Sequence, residues 1–506
     1  MSGIIAASRV EEQTLVLEAE AAPRFYINLK TLGSLSGNLG NGDYFNIYST
    51  DDLPYSWKSY DYTQPYTGNI LLRGNLNLIK YFQAETLTGV GVIKVAFSEI
   101  AKMTNLQYLS NGNLTSYMYG DFLELPHKLQ GYYVLNGLIS GTLADLPRTI
   151  TSFQNIAENS ITGNIIDLPP NIKIFAIQRN SDIYGNISDL PQTIETLQLY
   201  NNYNLKIKGT VKDLSPSMKY FSYDVSGDGY LNGNLSDLKN GIISFYLSGN
   251  SVINGSISDL PASLLFITIY SINETTFLIG NLLDLNRNML EFALDAPNII
   301  NGNIADIPNS LYYFIVNGDN TLFGNISELS LNITSFQVLG NNTITGDIAD
   351  IKAPLNNFQL YGYNTIYGDV ANLRSSLQRL DIKGNNDLTG DVATIPSSIL
   401  EVDIRGNNTL YGNLGTIQKQ VVRIVGASTC TYTGTTWRSP MYDFIYMPAT
   451  TGLTPSEVDQ LLIDLSVPEW GAYYRIDLRG ANASRTTNSN IAVALLQSKG
   501  VTVLTN

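Results

Sequence analysis

The sequence predicts a mainly β solenoid, a fold built by stacking short repeated coils. Three observations predict it: a glycine-centred motif recurs at a nearly constant interval, apolar and polar residues alternate before each glycine, and the repeat is too short for a long helix. The motif reads Gly-[Asn/Asp/Thr/Ser]-[Ile/Leu/Val]-x-[Asp/Glu]-[Leu/Ile]-Pro, with variations. Its glycines are Gly120, Gly141, Gly163, Gly185, Gly209, Gly233, Gly255, Gly280, Gly302, Gly324, Gly346, Gly368, Gly390 and Gly412.

The interval between successive motif glycines is 22 residues in most repeats and 21 to 25 in the others. A fixed period of about 20 to 29 residues with internal Leu and Ile spacing is typical of leucine-rich-repeat solenoids. On this pattern the chain is identified as a leucine-rich-repeat protein with about 14 coils of 22 residues. We therefore expect a solenoid with a parallel sheet over residues 96–426.

Each repeat begins with a predicted strand. In residues 401–404, Val402 and Ile404 alternate with Glu401 and Asp403. A period of two points the apolar residues to one face and the polar residues to the other. Coils stacked at the strand spacing of about 4.8 Å then form a parallel sheet over one apolar layer per coil.

The corners between strands are predicted from asparagine and glycine. We expect the asparagines at the strand ends to turn their amides inward and to bond backbone groups of adjacent coils. The motif glycine suits a tight corner because it tolerates positive φ. Asp-Leu-Pro closes the repeat with a turn, which leaves room only for short 3₁₀ turns opposite the main sheet. The predicted inward asparagines are Asn180, Asn202, Asn250, Asn341, Asn385 and Asn407.

The two ends of the chain differ from the repeat. Residues 1–95 are rich in aromatic residues and turns, and they predict a β-rich docking or capping domain. Residues 427–506 predict a small α/β cap: Thr454-Pro455-Ser456-Glu457 reads as a helix start, 489–498 as a second helix, and 474–480 and 501–504 as strands. Caps of this kind cover the strand edges that would otherwise recruit other chains.

The composition excludes several classes of function. A single cysteine, Cys430, and a single histidine, His127, disfavour a disulfide scaffold, a Cys-based zinc protein and His-dependent catalysis. The formal net charge of −14 disfavours binding to nucleic acid or anionic lipid. Residues 1–16 contain neither a signal peptide nor a membrane span, so we expect synthesis in a cytoplasm without export by that route or membrane insertion. No cofactor or metal is predicted.

An acidic column recurs in the Asp-Leu-Pro part of the repeat. Stacked carboxylates make a calcium ladder or a glycosidase pair conceivable, but calcium needs six to eight oxygens and the repeat lacks the dense Asp-x-Asp pattern that supplies them. We expect each carboxylate to cap its own turn, and we predict no enzyme activity. The column comprises Glu124, Asp145, Asp167, Asp189, Asp213, Asp237, Asp259, Asp284, Asp306, Glu328 and Asp350.

The carboxy-terminal sequence is similar to a known group of proteins. Ile476 to Ala483 reads I-D-L-R-G-A-N-A, and Gly500 to Asn506 reads G-V-T-V-L-T-N. Over about 50 residues this region resembles the end of leucine-rich proteins encoded by bacteriophages and their hosts in the Bacteroides and Flavobacterium group. The resemblance implies a virion surface protein, such as a tail or head fibre or a spike, and transfers no catalytic motif.

The outward positions of the main strands form the candidate binding face. Tyrosine offers flat apolar area and a hydroxyl, and together with amides it suits sugars or protein surfaces. Two alternatives remain: these residues only solvate the sheet, or they pack against another virion subunit. The candidate residues are Tyr200, Tyr246, Tyr313, Gln337, Gln359, Tyr361, Arg379 and Arg405.

Together these features predict a non-enzymatic phage surface protein. Its amino-terminal region would dock to other virion proteins, and its solenoid would project to a host-surface glycan or protein, with a homo-oligomer possible. Two alternatives stay open: a capsid or tail decoration protein with a purely structural role, and a bacterial leucine-rich adhesin or interaction scaffold.

Overall fold

The computed structural model describes residues 12–48, 56–86, 91–111, 116–178, 181–202, 205–225, 228–271, 273, 275–437 and 440–506. The chain divides into two compact units, 1–253 and 254–506. Each unit consists mainly of parallel strands connected through short turns. This confirms the predicted mainly β solenoid.

The first unit begins with antiparallel strands. The first and fourth strands pair over most of their length, from Gln13 beside Gly74 to Leu29 beside Ser56, with register shifts near Ala22. The second strand pairs antiparallel with the third and the fourth. The predicted β-rich amino-terminal region is therefore confirmed as β structure. These strands are β1 (Gln13–Thr31), β2 (Ser34–Asn38), β3 (Tyr44–Tyr48) and β4 (Ser56–Gly74).

Parallel coils follow in the first unit. They comprise β5 (Ile79–Glu85), β6 (Val92–Ala96), the short helix α1 (Phe97–Ile100), β7 (Tyr108–Asn111), β8 (Ser116–Asp121), β9 (Gly131–Val134), β10 (Gly137–Thr142), β11 (Ser152–Asn155), β12 (Glu158–Asn164), β13 (Ile174–Gln178), β14 (Asp182–Asn186), β15 (Thr196–Asn202), β16 (Lys206–Thr210), β17 (Tyr220–Val225), β18 (Tyr230–Asn234), β19 (Ser244–Gly249) and β20 (Val252–Ser256). The odd-numbered strands pair with one another and form the main row. The even-numbered strands form a second row.

The second unit continues the same pattern. Its strands are β21 (Phe266–Ser271), β22 (Phe277–Asn281), β23 (Glu291–Asp295), β24 (Asn298–Asn303), β25 (Tyr313–Asn325), β26 (Ser335–Asp347), β27 (Asn357–Gly362), β28 (Thr365–Asp369), β29 (Arg379–Asp391), β30 (Glu401–Gly406), β31 (Thr409–Asn413), β32 (Val421–Gly426), β33 (Thr429–Thr431), β34 (Met441–Pro448), β35 (Trp470–Leu478) and β36 (Thr502–Thr505). Strands β25, β26 and β29 bend at the corner and contribute to both rows. The main row runs on through β32, β34, β35 and β36.

Most second-row strands are followed by a short 3₁₀ turn, as the repeat length predicts; β6 leads into α1 instead, and β33 leads to β34 without such a turn in the described residues. The described 3₁₀ turns are Leu76–Leu78, Phe122–Glu124, Leu143–Asp145, Ile165–Asp167, Ile187–Asp189, Val211–Asp213, Leu235–Asp237, Ile257–Asp259, Leu282–Asp284, Ile304–Asp306, Ile326–Glu328, Ile348–Asp350, Val370–Asn372, Val392–Thr394, Leu414–Thr416 and Thr487–Ser489. The first residue of each repeat turn is apolar and buried, so the turn seals the interior on the side opposite the main row.

The core contains one apolar layer per coil. In the second unit, one inward column of the main row carries Phe292, Phe314, Phe336 and Phe358 in successive coils, all fully buried. Neighbouring ring centroids lie 5.8, 5.6 and 6.1 Å apart. Phe153 and Phe175 stack in the same way in the first unit, at 5.7 Å. These columns stabilise the stack of coils because each ring buries its faces against the rings above and below.

The motif glycine has positive φ in every repeat, as predicted. At Gly346, where φ is 138°, an added Cβ would lie 2.7 Å from both Asn325 Oδ1 and Ile326 Cγ1 of the preceding coil. The glycine is therefore required twice, once by its backbone conformation and once by the close approach of the neighbouring turn.

Four of the six predicted inward asparagines are wrong, because the inward position lies one residue later in the chain. Asn250, Asn341, Asn385 and Asn407 are exposed, Asn180 lies outside the described residues, and the side chain of Asn202 does too. The bend at the strand end places the Gly-Asn pair outward, so the next residue is the first to point inward again. The observed inward column, fully buried in each case, is Asn320, Asn342, Asn364, Asn386 and Asn408.

Each inward asparagine connects neighbouring coils. Asn342 Oδ1 accepts a hydrogen bond from the Leu322 amide of the preceding coil at 2.8 Å, and its Nδ2 donates to the Tyr361 carbonyl of the next at 3.2 Å. Asn386 repeats this arrangement with Ile366 and Arg405. The predicted chemistry of the column is thus confirmed, although its position was wrong.

The carboxy-terminal region has the predicted helices and strands. Helix α2 (Pro455–Leu465) begins with a capping box between Thr454 and Glu457, and α3 (Asn490–Ser498) precedes β36. The buried face of α2 carries Val458, Leu461, Leu462 and Leu465. Parallel pairing crosses both predicted boundaries, 95/96 and 426/427, so the division into domains 1–95, 96–426 and 427–506 stays a prediction.

Candidate functional site

The candidate site is the outer face of the main row, formed by the main-strand side chains that point away from the core. Outward positions alternate with inward residues along each strand, as Arg379, Asp381 and Lys383 alternate with Leu380 and Ile382 in β29. The strands pair in register along the second unit, so Gln337 lies beside Gln359, and Gln359 beside Asp381. Equivalent positions therefore form continuous columns.

In the first unit, the outer face places Tyr200 near Tyr246. Their ring centroids are 6.4 Å apart at an interplanar angle of 62°. Ser222, on the strand between them, is only 4% exposed. Burial, reinforced by the charge of Asp224, raises the pKa of Tyr246. The structure thus brings together two of the predicted residues as an aromatic pair.

In the second unit, the amide segment consists of Asn317, Gln337, Asn357 and Gln359. Gln337 Nε2 donates to Asn317 Oδ1 at 3.1 Å across neighbouring strands, and Gln359 Nε2 donates to Asn357 Oδ1 at 3.0 Å within one strand. Gln359 is 7% exposed, while Tyr313 beside this segment is half-buried. These side chains are held by uncharged neighbours.

Tyr361 stands where the amide segment meets charged residues. Its hydroxyl donates to Asp381 Oδ2, and Lys383 Nζ lies 3.6 Å from the centroid of its ring. Burial, together with the hydrogen bond to Asp381, raises the pKa of Tyr361 well above its ordinary value. The tyrosine therefore acts as a hydrogen-bond donor and as a surface for a cation.

The ion-pair segment consists of Arg379, Asp381, Lys383, Glu401, Asp403, Arg405, Arg423 and Asp443. Asp403 is 2% exposed and is surrounded by three cations. Arg405 Nε lies 2.7 Å, Arg423 Nη1 3.3 Å and Lys383 Nζ 3.5 Å from its oxygens.

The remaining charges of the ion-pair segment are also paired. Arg379 Nε lies 3.2 Å from Glu401 Oε2, and Lys383 Nζ lies 3.2 Å from Asp381 Oδ1. Arg423 Nε donates to Asp443 Oδ2 at 2.6 Å. The predicted binding residues Arg379 and Arg405 are therefore engaged with carboxylates of this chain, and their role in binding stays a prediction.

A cavity on the same face was missed by sequence reasoning. Its volume is about 420 Å³. Alignment on the motif glycine ends at Gly412, before the strands that form this cavity, although the outward spacing of Arg423, Asp443 and Arg475 in apolar strands could have signalled it. The tyrosine cavity is lined by Arg423, Tyr442, Asp443, Tyr474, Arg475 and Thr502.

The acidic column caps turns in part of the repeats. Five of its eleven members close a capping box on their own turn: Asp145, Asp189, Asp237, Asp284 and Glu328. Asp145 Oδ2 accepts from the Thr142 amide at 3.1 Å, and Glu328 Oε2 accepts from the Asn325 amide at 3.1 Å. In return, the Asn325 side chain accepts from the Ser327 amide at 2.9 Å. The carboxylate thus closes a capping box on its own 3₁₀ turn. Within the described residues, no group of three or more His, Cys, Asp or Glu side chains is arranged to hold a metal ion.

Comparisons with known proteins return structures only. The sequence matches no protein-family model and no curated protein. The chain is similar to a plant peptide hormone receptor, RGFR1 in complex with RGF2, with 16% identity, a TM-score of 0.47, and coverage of 82% of this chain and 77% of that one. It is also similar to the Arabidopsis receptor kinase HAESA in complex with the peptide hormone IDA and the co-receptor SERK1, with 13% identity, a TM-score of 0.42, and coverage of 82% and 85%.

A plant ice-binding protein is more distant, with 14% identity, a TM-score of 0.22, and coverage of 58% of this chain and 72% of that one. None of these similarities assigns a ligand to this protein.

The architecture is identified from the structure itself, by the 22-residue coils, the two parallel rows of strands and the buried asparagine column. The fold is a leucine-rich-repeat solenoid. In the described part of the chain, no helix is long and apolar enough to cross a membrane.

Proposed function

We propose that this leucine-rich-repeat protein is a non-enzymatic recognition scaffold whose outer face of the main row contacts a protein or a glycan. The observation that carries the proposal is the way this face holds its side chains. Gln337, Gln359 and Tyr361 are each fixed by a hydrogen bond to a neighbouring side chain. Side chains ordered before binding lose less conformational entropy when a partner arrives, which favours affinity at a given contact area.

The tyrosines of this face suit the proposed role. Tyr200, Tyr246 and Tyr313 are half-buried, so part of each side chain is exposed while the rest is packed against the sheet. Rings held in this way supply contact area with few rotatable bonds. A partner that spans several coils would contact tyrosines, amides and, farther along, the ion-pair segment.

At a finer level, we propose a phage virion surface protein, either a fibre or a spike. The resemblance of Ile476 to Ala483 and of Gly500 to Asn506 to phage-encoded leucine-rich proteins supports this assignment. The antiparallel strands β1 to β4 have an architecture distinct from that of the coils, which suits a separate docking role for the amino-terminal region. Host-surface recognition would then belong to the coils.

The virion assignment is tested by locating the protein. Mass spectrometry of purified phage particles and antibody labelling in electron micrographs should find the chain at the particle surface. Loss of infectivity without loss of intact particles, after deletion of the gene, would distinguish a host-recognition protein from a decoration protein. Absence from purified particles would refute both virion roles and favour the bacterial adhesin or interaction scaffold.

The recognition face is tested by substitution. Tyr246→Ala and Tyr313→Ala should each weaken binding of the purified chain to host cells by about 10-fold or more, because aromatic residues dominate binding energy at interfaces. Tyr184→Ala and Tyr411→Ala are matched controls, since these tyrosines are 48% and 51% exposed on the second row. Unchanged binding of the first pair, or equal losses in both pairs, would refute the assignment of the face.

A further inference from the structure

The tyrosine cavity lies at the outer face of the last main strands, where β32, β34, β35 and β36 lie side by side. None of its six residues belongs to the eight predicted binding residues. Its volume of about 420 Å³ lies within the range of small-ligand sites, about 300 to 1,000 Å³. Its residues combine aromatic, cationic, anionic and hydroxyl groups, so its chemistry restricts the class of ligand.

Two aromatic rings provide the apolar part of the wall. Tyr442 and Tyr474 lie on neighbouring strands, with ring centroids 5.2 Å apart and an interplanar angle of 72°. Both side chains are half-buried. Their edge-to-face packing fixes one ring against the other and leaves ring surface for the C–H groups of a ligand.

One cation of the cavity, Arg475, is not paired with a carboxylate of the described residues. Arg475 is exposed, and among the described residues its guanidinium has no hydrogen bond and no carboxylate within 4.0 Å. Arg423 differs, because it is held by Asp403 at 3.3 Å and by Asp443 at 2.6 Å. A guanidinium matches a carboxylate with two parallel hydrogen bonds, so an anionic group is the natural partner of Arg475.

One acceptor of the cavity needs a donor. Asp443 is 8% exposed, and its Oδ2 accepts from Arg423. Its Oδ1 is buried and accepts no hydrogen bond in the described structure. A buried acceptor without a partner is costly, and a hydroxyl group supplies the missing donor directly or through one water. Thr502, which is exposed, adds a hydroxyl that can donate or accept.

We infer that the tyrosine cavity binds a carboxylate-bearing sugar of the hexuronic acid type. The sugar carboxylate pairs with Arg475, its hydroxyls donate toward Asp443 and Thr502, and its C–H face packs on the tyrosines. A neutral sugar leaves Arg475 without an anion, and an aliphatic acid leaves Asp443 Oδ1 without a donor. The chain carries a formal net charge of −14, so attraction of an anion depends on this local site rather than on the overall charge.

This inference deepens the proposed recognition function and rests on it for its biological role, but its test needs only the purified full chain. The probes are tri-galacturonate and its fully methyl-esterified form, in which each carboxylate is replaced by an uncharged methyl ester. Isothermal titration should show binding of the acid and at least about 10-fold weaker binding of the ester, since the ester lacks the charge that would pair with Arg475.

Arg475→Gln should lower the affinity for tri-galacturonate by about 10-fold or more, because it removes the unpaired cation. Tyr474→Ala should lower it as well, through loss of one ring. Arg479→Gln is the matched control: it removes an exposed arginine close to β35 that pairs with Asp477 and does not line the cavity. Thermal unfolding of each variant shows that the fold is retained.

Equal binding of acid and ester, unchanged binding in Arg475→Gln, or an equal loss in Arg479→Gln would overturn the inference. The outcome is separable from that of the proposed function. Loss of sugar binding in Arg475→Gln with normal attachment to host cells would leave the recognition face intact. Sugar binding without any attachment to cells, in contrast, would refute the proposed function and keep the cavity assignment.

Discussion

The amide segment and the ion-pair segment occupy the same face of the same row of strands, yet they are stabilised differently. In the amide segment, Gln337 and Gln359 are held by hydrogen bonds between neutral groups. In the ion-pair segment, the equivalent positions carry Asp381 and Asp403, which lie beside each other in register and are 3% and 2% exposed. Two adjacent buried anions repel, so this segment depends on the surrounding cations.

The comparison shows that a side chain on the outer face is not necessarily available to a ligand. The backbone offers identical positions in both segments, but a buried charge must be compensated within the chain, whereas an amide tolerates a change of partner. A ligand that recruits Arg405 would have to compete with Asp403, which accepts two hydrogen bonds from it at 2.7 and 2.8 Å. The amide segment and its tyrosines are therefore the better site for reversible contacts.

The largest expected effect comes from removing a buried charge. Asp403→Asn should destabilise the chain by about 3 kcal/mol, the lower end of the range for breaking a buried pair, because its three cations keep some exposure. Gln337→Ala, the matched change in the amide segment, should cost about 1 kcal/mol or less. Urea denaturation followed by circular dichroism measures both. Equal losses would show that the two segments do not differ in the way described.

A second, smaller loss of stability tests whether the amide segment and the ion-pair segment differ only on the outer face. Asn342→Ala and Asn386→Ala lie on the inner side of the amide segment and the ion-pair segment respectively, and both side chains are fully buried. Each substitution should cost about 2 kcal/mol, because a buried amide and a buried carbonyl lose a partner. The two losses should agree within about 0.5 kcal/mol, and a clear inequality in denaturation would mean that the segments differ in the core as well.

The asparagine column also shows which features of the fold could be predicted from the sequence. The repeat, the corner glycines, most of the 3₁₀ turns and part of the capping carboxylates could be predicted because they follow from local backbone chemistry that recurs along the coils. The identity of the inward asparagine depended on where the strand bends, and this moved it from Asn341 to Asn342. The sequence Gly-Asn-Asn does not indicate which of its two asparagines points inward, because that depends on where the strand bends.

The candidate site was less predictable for a different reason. The period of two correctly placed Tyr361 and Arg405 outward, but their partners lie one coil away or two residues along the strand, and their burial depends on those partners. The tyrosine cavity requires Tyr442 and Tyr474, which are separated by α2 in the chain and become neighbours only when β34 pairs with β35. Contacts of this kind follow from register, not from composition.

A third expected effect lies at the junction of the two segments. Tyr361→Phe removes the hydroxyl that donates to Asp381 and should destabilise the chain by about 1 kcal/mol, since Asp381 keeps Lys383 as a partner. Tyr313→Phe is the control, because its hydroxyl donates no hydrogen bond among the described residues, and it should change stability by less than about 0.5 kcal/mol. Denaturation midpoints that rank the two variants in the opposite order would contradict this.

The smallest expected effect is a pH dependence at β35, where Asp477 pairs with Arg479. Arg479 donates two hydrogen bonds to Asp477, at 2.9 and 2.8 Å, and these bonds lower the pKa of Asp477 despite its burial. A carboxyl group whose pKa is lower in the folded chain than in the unfolded chain stabilises the fold above the unfolded pKa, near 4, and loses that contribution as the pH falls through the folded pKa. Because the Arg479 side chain is half exposed, we expect less than about 1 kcal/mol.

Hydrogen exchange between pH 6 and pH 3, corrected for the intrinsic pH dependence of exchange, measures this effect strand by strand. Amides of β35 should lose protection toward low pH, whereas those of β27, which contains no carboxylate, should change less. Arg479→Gln should flatten the pH dependence at β35, because Asp477 then lacks the cation that lowers its pKa. An unchanged pH dependence in this variant would mean that other carboxylates, rather than the Asp477–Arg479 pair, make β35 sensitive to acid.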